Sequence, residues 1–274
     1  MSAQVDYLTP ILARKRSEVA RRKRHARRGE QDHASVAVRP AADGDRGALA
    51  VAVLRRAGSA LPRVIAEIKR RSPSAGEIRP RERGDVARIA RAYVAGGAAA
   101  VSVLCDGPGF GGSPLDLRRA AAAIGAPLLF KEFVLDEVQL EVARATGAHM
   151  VLLLVRALPG RRLGELVEAT LALGLAPVVE AADRAELDAA LATRATLVGV
   201  NARDLRTFKV DKAAAQAALA IIPTDRVAIH MSGVHTPDDL AEIARGRADA
   251  ALVGESLMRA ADPAAKLRAL LGAA

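Results

Sequence analysis

From residue 63 onward the chain alternates short β-branched or apolar runs with alanine-rich stretches of helical spacing. Runs of four to eight apolar residues bounded by turn residues predict strands, and longer 3.6-periodic stretches predict helices. On this basis strands are expected at Arg63–Ile68, Ala99–Leu104, Pro127–Lys131, His149–Val155, Pro177–Glu180, Leu197–Asn201, Arg226–His230 and Ala250–Gly254. Their centres lie about 20–35 residues apart, the length of a strand, a helix and two loops. Eight such units with nearly continuous apolar strands predict an α/β chain whose parallel strands close into a (β/α)8 TIM barrel ringed by helices. The competitor is an open doubly wound sheet. It normally carries G-x-G-x-x-G after its first strand, whereas the first run here continues as IKRRSPSAGEI.

Helix punctuation agrees with this register. Thr236-Pro237-Asp238-Asp239 reads as an N-cap with Pro at the first helical position and acids in the first turn. Asp136 before EVQLEVARATG is another cap, with Gly147 as the stop. Residues 1–62 read as an N-terminal helical extension and 63–274 as the barrel, together one domain. Within the extension, Val5, Leu8, Ile11, Leu12 and Val19 fall close to helical spacing, and the polar stretch Gly29–Gly47 reads as a mobile loop.

Charge changes the picture only at the N-terminus. The net charge is +10, and residues 1–30 supply +6 of it through nine bases against three acids. The run RRKRHARR has the composition of a nucleic-acid-binding segment. The apolar stripe beside it favours a docked helix with its bases on the solvated face, so no nucleic-acid partner is expected. The single cysteine, Cys105, ends the run AAAVSVLC and reads as a buried structural thiol rather than a nucleophile. With no internal disulfide to form, no signal-like leader and no apolar run of the roughly 18–20 residues needed to cross a bilayer, a soluble cytoplasmic protein without membrane association is expected.

The candidate chemistry lies at the strand ends. In VIAEIK, Glu67 and Lys69 share one face of a strand, while Lys131, Glu180 and Asn201 end the third, fifth and sixth apolar runs, and Arg203 follows Asn201. Charges at such positions are costly inside a packed core, but the carboxyl mouth of a barrel is where this fold builds its sites. Ser232-Gly233 after the seventh run and Gly254-Glu255-Ser256 after the eighth sit where barrel loops commonly hold a phosphate.

These residues resemble the indole-3-glycerol-phosphate synthase family. EIKRRSPSAGEIRP is similar to that family's E-I-K-x-x-S-P-S-x-G-x-I-R signature. The likeness runs on through GAAAVSVLCDGPGFGGSPLDL, PLLFKEFVLDEVQ, VVEAADRAEL, VGVNARDLRTFKVD and ALVGESLMRAADP, about residues 60–270, and LTPILARKRSEVARRK resembles its leading helix. The resemblance implies closure of 1-(2-carboxyphenylamino)-1-deoxyribulose 5-phosphate to indole-3-glycerol phosphate with loss of CO2 and water, in tryptophan biosynthesis. It implies a phosphorylated small-molecule substrate and neither cofactor nor metal. By the same resemblance Lys131, a lysine of lowered pKa, is the acid, and Glu180 stabilises cationic character or acts as base. Glu67 and Lys69 balance charge and assist dehydration, Asn201 orients substrate hydroxyls, and Arg203 belongs to the supporting polar network. Ser72, Ser232, Gly233 and Gly254 are implied for phosphate, and Phe110, Phe133, Leu152, Leu205 and Leu252 for the aromatic pocket. Three positions depart from the pattern: Met231 replaces a glutamate, Ala202 an asparagine, and Glu132 an aspartate. His230 beside Met231 is expected to face a helix, since neighbouring strand residues point to opposite faces.

Overall fold

The computed structural model describes residues 6–27, 45–56, 58, 60–73, 75–203 and 210–273. Eight parallel strands form a closed barrel: β1 (Arg63–Ile68), β2 (Ala100–Leu104), β3 (Leu128–Lys131), β4 (Met150–Leu154), β5 (Ala176–Ala181), β6 (Leu197–Asn201), β7 (Val227–Met231) and β8 (Ala250–Val253). Each strand pairs with its neighbours in sequence, and β1 meets β8 in a register running from Arg63 beside Ala250 to Ala66 beside Val253. All eight expected strands are present, with ends within one residue of the expectation. The difference that bears on chemistry is at β7, which starts and ends one residue late and so takes Met231 into the barrel wall.

With so few aromatic residues, the interior is filled by Ala, Val, Leu and Ile. Tyr93 is one of the few large rings in it, and from the helix Asp85–Ala95 its hydroxyl donates to the Glu67 carbonyl oxygen at 3.1 Å, fixing the end of β1 from outside. The outer helices begin where their caps predict. Asp136 and Thr236 both close capping boxes, each side chain accepting from the first turn while the third helical residue reaches back.

The extension contributes two helices at opposite ends of the barrel. Helix α2 (Arg46–Leu54) packs against β1, β2, β4 and β5, and its Gly47 amide donates to the Gly174 carbonyl at 3.0 Å. A Cβ on Gly47 would lie 2.7 Å from the Ala176 nitrogen, so this close approach to the start of β5 requires glycine. Gly47 therefore belongs to a helix and not to the loop expected there, and residues 29–44 of that loop lie outside the described residues. Helix α1 (Leu8–Arg27) lies across the other end, with Ile11, Leu12 and Val19 buried as their spacing predicts. Val5, placed on the same stripe, is outside the described residues. Among the described bases, Lys15 departs furthest from the expected solvated face, at 1% exposed.

Candidate active site at the carboxyl mouth of the barrel

The strand-end charges converge. Glu67, 2% exposed at the end of β1, lies between two ammonium groups, with Lys69 Nζ 3.1 Å from its Oε1 and Lys131 Nζ 2.9 Å from its Oε2. Burial alone would raise the Glu67 carboxyl, but the two lysines outweigh it and bring the pKa down to about 2. Lys131 shows the mirror effect. Burial pulls its pKa down, the charges of Glu67 and Glu180 pull harder, and the net shift is upward. The lowered pKa expected from sequence is thus corrected: ion pairing, not desolvation, dominates at Lys131, which is protonated throughout the neutral range.

Glu180, 5% exposed on β5, accepts a hydrogen bond from Asn201 Nδ2 at 2.9 Å. The Asn201 Oδ1 accepts from the Arg203 backbone amide at 3.0 Å. Both ends of the Asn201 amide are therefore engaged in aiming Glu180 and shaping the loop after β6. Arg203 continues this turn through a bridge to Val210.

A pocket opens over this charged floor. Ser72, Arg203, Ser232, Gly233 and Gly254 line it, and so do Phe110, Phe133, Leu152 and Leu252. Leu205, expected with the apolar group, lies outside the described residues. The Phe110 and Phe133 rings meet with centroids 6.0 Å apart and tilted by 38°. Ser232 and Gly233 both take left-handed backbone, at φ of +72° and +77°, which turns the chain sharply after β7. A Cβ on Gly254 would lie 2.7 Å from Glu67 Oε1, so glycine is what lets Glu67 stand in the centre of the mouth. The loop carrying Ser72 is braced by Arg70, bonded through both terminal nitrogens to Asp85 at 2.7 Å, and by Arg71, which donates to the Pro108 carbonyl.

Sequence reasoning missed one wall. Tyr7, Leu8 and Ile11 of the extension line the pocket, as does Glu132. The helical spacing of Leu8 and Ile11 carried a signal of burial but not of what they would cover.

The family model for indole-3-glycerol phosphate synthase matches residues 8–270. The chain is 42% identical over 265 residues to indole-3-glycerol phosphate synthase 2 of Streptomyces coelicolor, spanning 97% of this chain and 98% of that one. It is 41% identical over 266 residues to the indole-3-glycerol phosphate synthase of Mycobacterium ulcerans, spanning 97% and 94%. The chain belongs to the indole-3-glycerol-phosphate synthase family. A solved structure described as native KDPGal superposes with a TM-score of 0.55 at 20% identity, covering 80% of this chain and 96% of that one, a likeness of fold alone.

The synthase fold accommodates the unusual Met231 through Gly199. Met231 is 1% exposed, and a Cβ on Gly199 would lie 2.4 Å from its Cε, so the thioether occupies the space above a missing side chain. It pairs in register with Asn201 and Leu252. His230 turns the other way: it is fully buried, Nε2 lies 3.0 Å from the Ser232 carbonyl, and its charged neighbours Lys212, Asp239 and Glu242 belong to the outer helices. Burial holds its pKa below the usual histidine range. Ala202 is buried, its amide donating to the Met231 carbonyl at 2.9 Å.

Proposed function

We propose that the mouth of the barrel performs the indole-3-glycerol-phosphate synthase reaction with Lys131 as the acid and Glu67, Lys69, Glu180 and Asn201 around it. The activity is that of the family: 1-(2-carboxyphenylamino)-1-deoxyribulose 5-phosphate loses CO2 and water and becomes indole-3-glycerol phosphate. The observation that carries the residue roles is Glu67 held between two lysines at 2.9 and 3.1 Å, with Glu180 close enough to raise the nearer one.

In the first step the ring carbon bearing the carboxylate attacks the ketone carbon. The carbonyl oxygen becomes an alkoxide, and Lys131, already charged, gives it a proton. Positive charge appears on the nitrogen side of the new ring, where Glu180 stabilises it. Breaking the C–CO2 bond returns its electron pair to the ring and removes that charge. The hydroxyl then leaves as water, with Lys69 supplying the proton and Glu180 accepting one from the ring carbon next to nitrogen. Glu67 stays paired with both lysines between steps.

Ser72, Ser232, Gly233 and Gly254 suit the phosphate, because small residues and the tight turn after β7 leave backbone amides accessible. Phe110, Phe133, Leu152 and Leu252 suit the anthranilate ring, with Leu205 assigned to them by resemblance. We place Arg203 in the polar network that holds Asn201. A cytoplasmic location belongs to this proposal, since a biosynthetic substrate is supplied there and no described helix is long and apolar enough to cross a membrane.

The test is continuous indole fluorescence with purified protein and substrate. Wild-type protein shows turnover and Lys131→Ala abolishes it while remaining folded; a variant rate within tenfold of wild type would overturn the acid assignment.

A further inference from the structure

Lys15 is among the least exposed charged side chains described, and it comes from the extension rather than the barrel. Its ammonium reaches three carboxylates: Glu18 Oε2 at 2.9 Å, Glu132 Oε2 at 3.0 Å and Asp106 Oδ1 at 3.1 Å. Arg14 reinforces the same group from the rim, with Nη2 at 3.2 Å from Asp106. A buried cation commonly serves only to pin a helix. Here each barrel carboxylate has a second commitment. Asp106 caps the short helix Gly107–Phe110, accepting from the Gly109 amide at 2.7 Å. Glu132 accepts from the Phe133 amide at 2.7 Å. One lysine is thus linked through two polar contacts to the Phe133 amide and to the amide of Gly109, the residue before Phe110.

We propose that Lys15 is a positioning residue for the substrate's aromatic ring, acting through Asp106 on Phe110 and through Glu132 on Phe133. Glu132 directly follows Lys131, so the same contact sets the spacing between the aromatic wall and the acid. Tyr7, Leu8 and Ile11, one to two turns before Lys15, complete that wall. Electrostatics make the arrangement responsive. Burial and the Asp106 charge push the Glu132 carboxyl up to about 7, and Lys15 is what holds it that low. The groups that face this cluster are Arg14, Lys15 and Glu18 from α1, Asp106 and the buried Cys105 after β2, and Asp116 from the helix Pro114–Ala121.

Lys15→Met, Lys15→Arg and Glu132→Gln are compared with wild type by steady-state kinetics between pH 5.5 and 8.5, with thermal unfolding alongside. The inference predicts a KM at least tenfold higher in Lys15→Met with kcat within fivefold of wild type. Lys15→Arg is expected to recover most of the lost affinity. In wild type the logarithm of KM bends near pH 7, and Glu132→Gln flattens the bend. A lowered melting temperature with unchanged KM would assign the cluster to stability alone and overturn the inference. Should Lys15→Met not fold, the Glu132→Gln profile decides: a bend that persists refutes the link from Lys15 through Glu132. Inactive wild-type protein would instead defeat the reaction assignment, and the inference is then read from product affinity in the same variants.

Discussion

Removing the charge of Glu67 tests the centre of the site most directly. In Glu67→Gln the shape is kept and the carboxylate shared by Lys69 and Lys131 is lost. Coulomb's law at 3 Å and an effective dielectric of about 20 gives roughly 5 kcal/mol per pair before desolvation is charged against it. The net effect is smaller and can be read from the titration. A shift from 4.5 to about 2, at about 1.4 kcal/mol per unit, leaves about 3 kcal/mol of stability. Because the folded pKa is depressed, this contribution is complete above the unfolded value of about 4.5 and disappears as pH falls towards 2. Urea unfolding should therefore show the variant about 3 kcal/mol less stable at pH 7, with the gap closing below pH 4.5.

Activity follows from the other partner. Lys131 owes its upward shift to Glu67 and Glu180 against burial, so losing Glu67 lets burial pull it back down. The alkaline limb of kcat moves to lower pH, and kcat falls by about 10²–10³, the size of effect seen when one preorganised polar group is removed from an active site. Fluorescence-detected turnover from pH 6 to 10 measures both. A folded variant with kcat within threefold of wild type and an unmoved alkaline limb would refute the account of Lys131.

Gly254→Ala places a Cβ 2.7 Å from Glu67 Oε1 and 3.2 Å from the Glu67 Cβ, so Glu67 must leave its bridging position. The expected result is a folded protein with kcat/KM at least tenfold lower; wild-type kinetics would show that the mouth has slack. Met231→Glu buries an acid in the barrel beside Asn201 and Leu252, and about 1–3 kcal/mol of stability is expected to be lost in urea unfolding. If the family's glutamate serves the reaction, kcat rises at least threefold; an equal or lower kcat means that the thioether over Gly199 is a settled accommodation.

The barrel was legible because its signals are local. Each strand is a short apolar run cut off by a turn or a cap, so its ends could be placed within a residue. The meeting of Glu67, Lys69, Lys131 and Glu180 was also legible, since strand ends in this fold have a known common destination. The sign of the Lys131 shift was not, because it is a balance of burial against two charges whose distances exist only in three dimensions. Lys15 was missed for a different reason. Ile11, Lys15 and Val19 are spaced four apart and lie on one face of α1, but a stripe defined by apolar residues alone skips the lysine between them. Among the bases of that segment whose burial is described, the spacing rather than the charge marks Lys15 as the buried one.

A raised pKa does not disqualify Lys131 as the acid, and the arrangement explains why. An alkoxide is far more basic than any ammonium, so the proton moves downhill even from a lysine stabilised by two carboxylates. What the carboxylates oppose is the neutral lysine left behind, because Glu67 and Glu180 then face one positive charge fewer. Ring closure supplies the replacement: as Lys131 loses its charge, the nitrogen side of the new ring gains one. If that cation forms within reach of Glu180, held towards the pocket by Asn201 at 2.9 Å, the carboxylates exchange one partner for another without being left unpaired. The same pair that holds the resting acid charged then favours the charge distribution after transfer. Decarboxylation removes the ring's charge, and Lys131 becomes the most favourable place for the next proton, which resets the site.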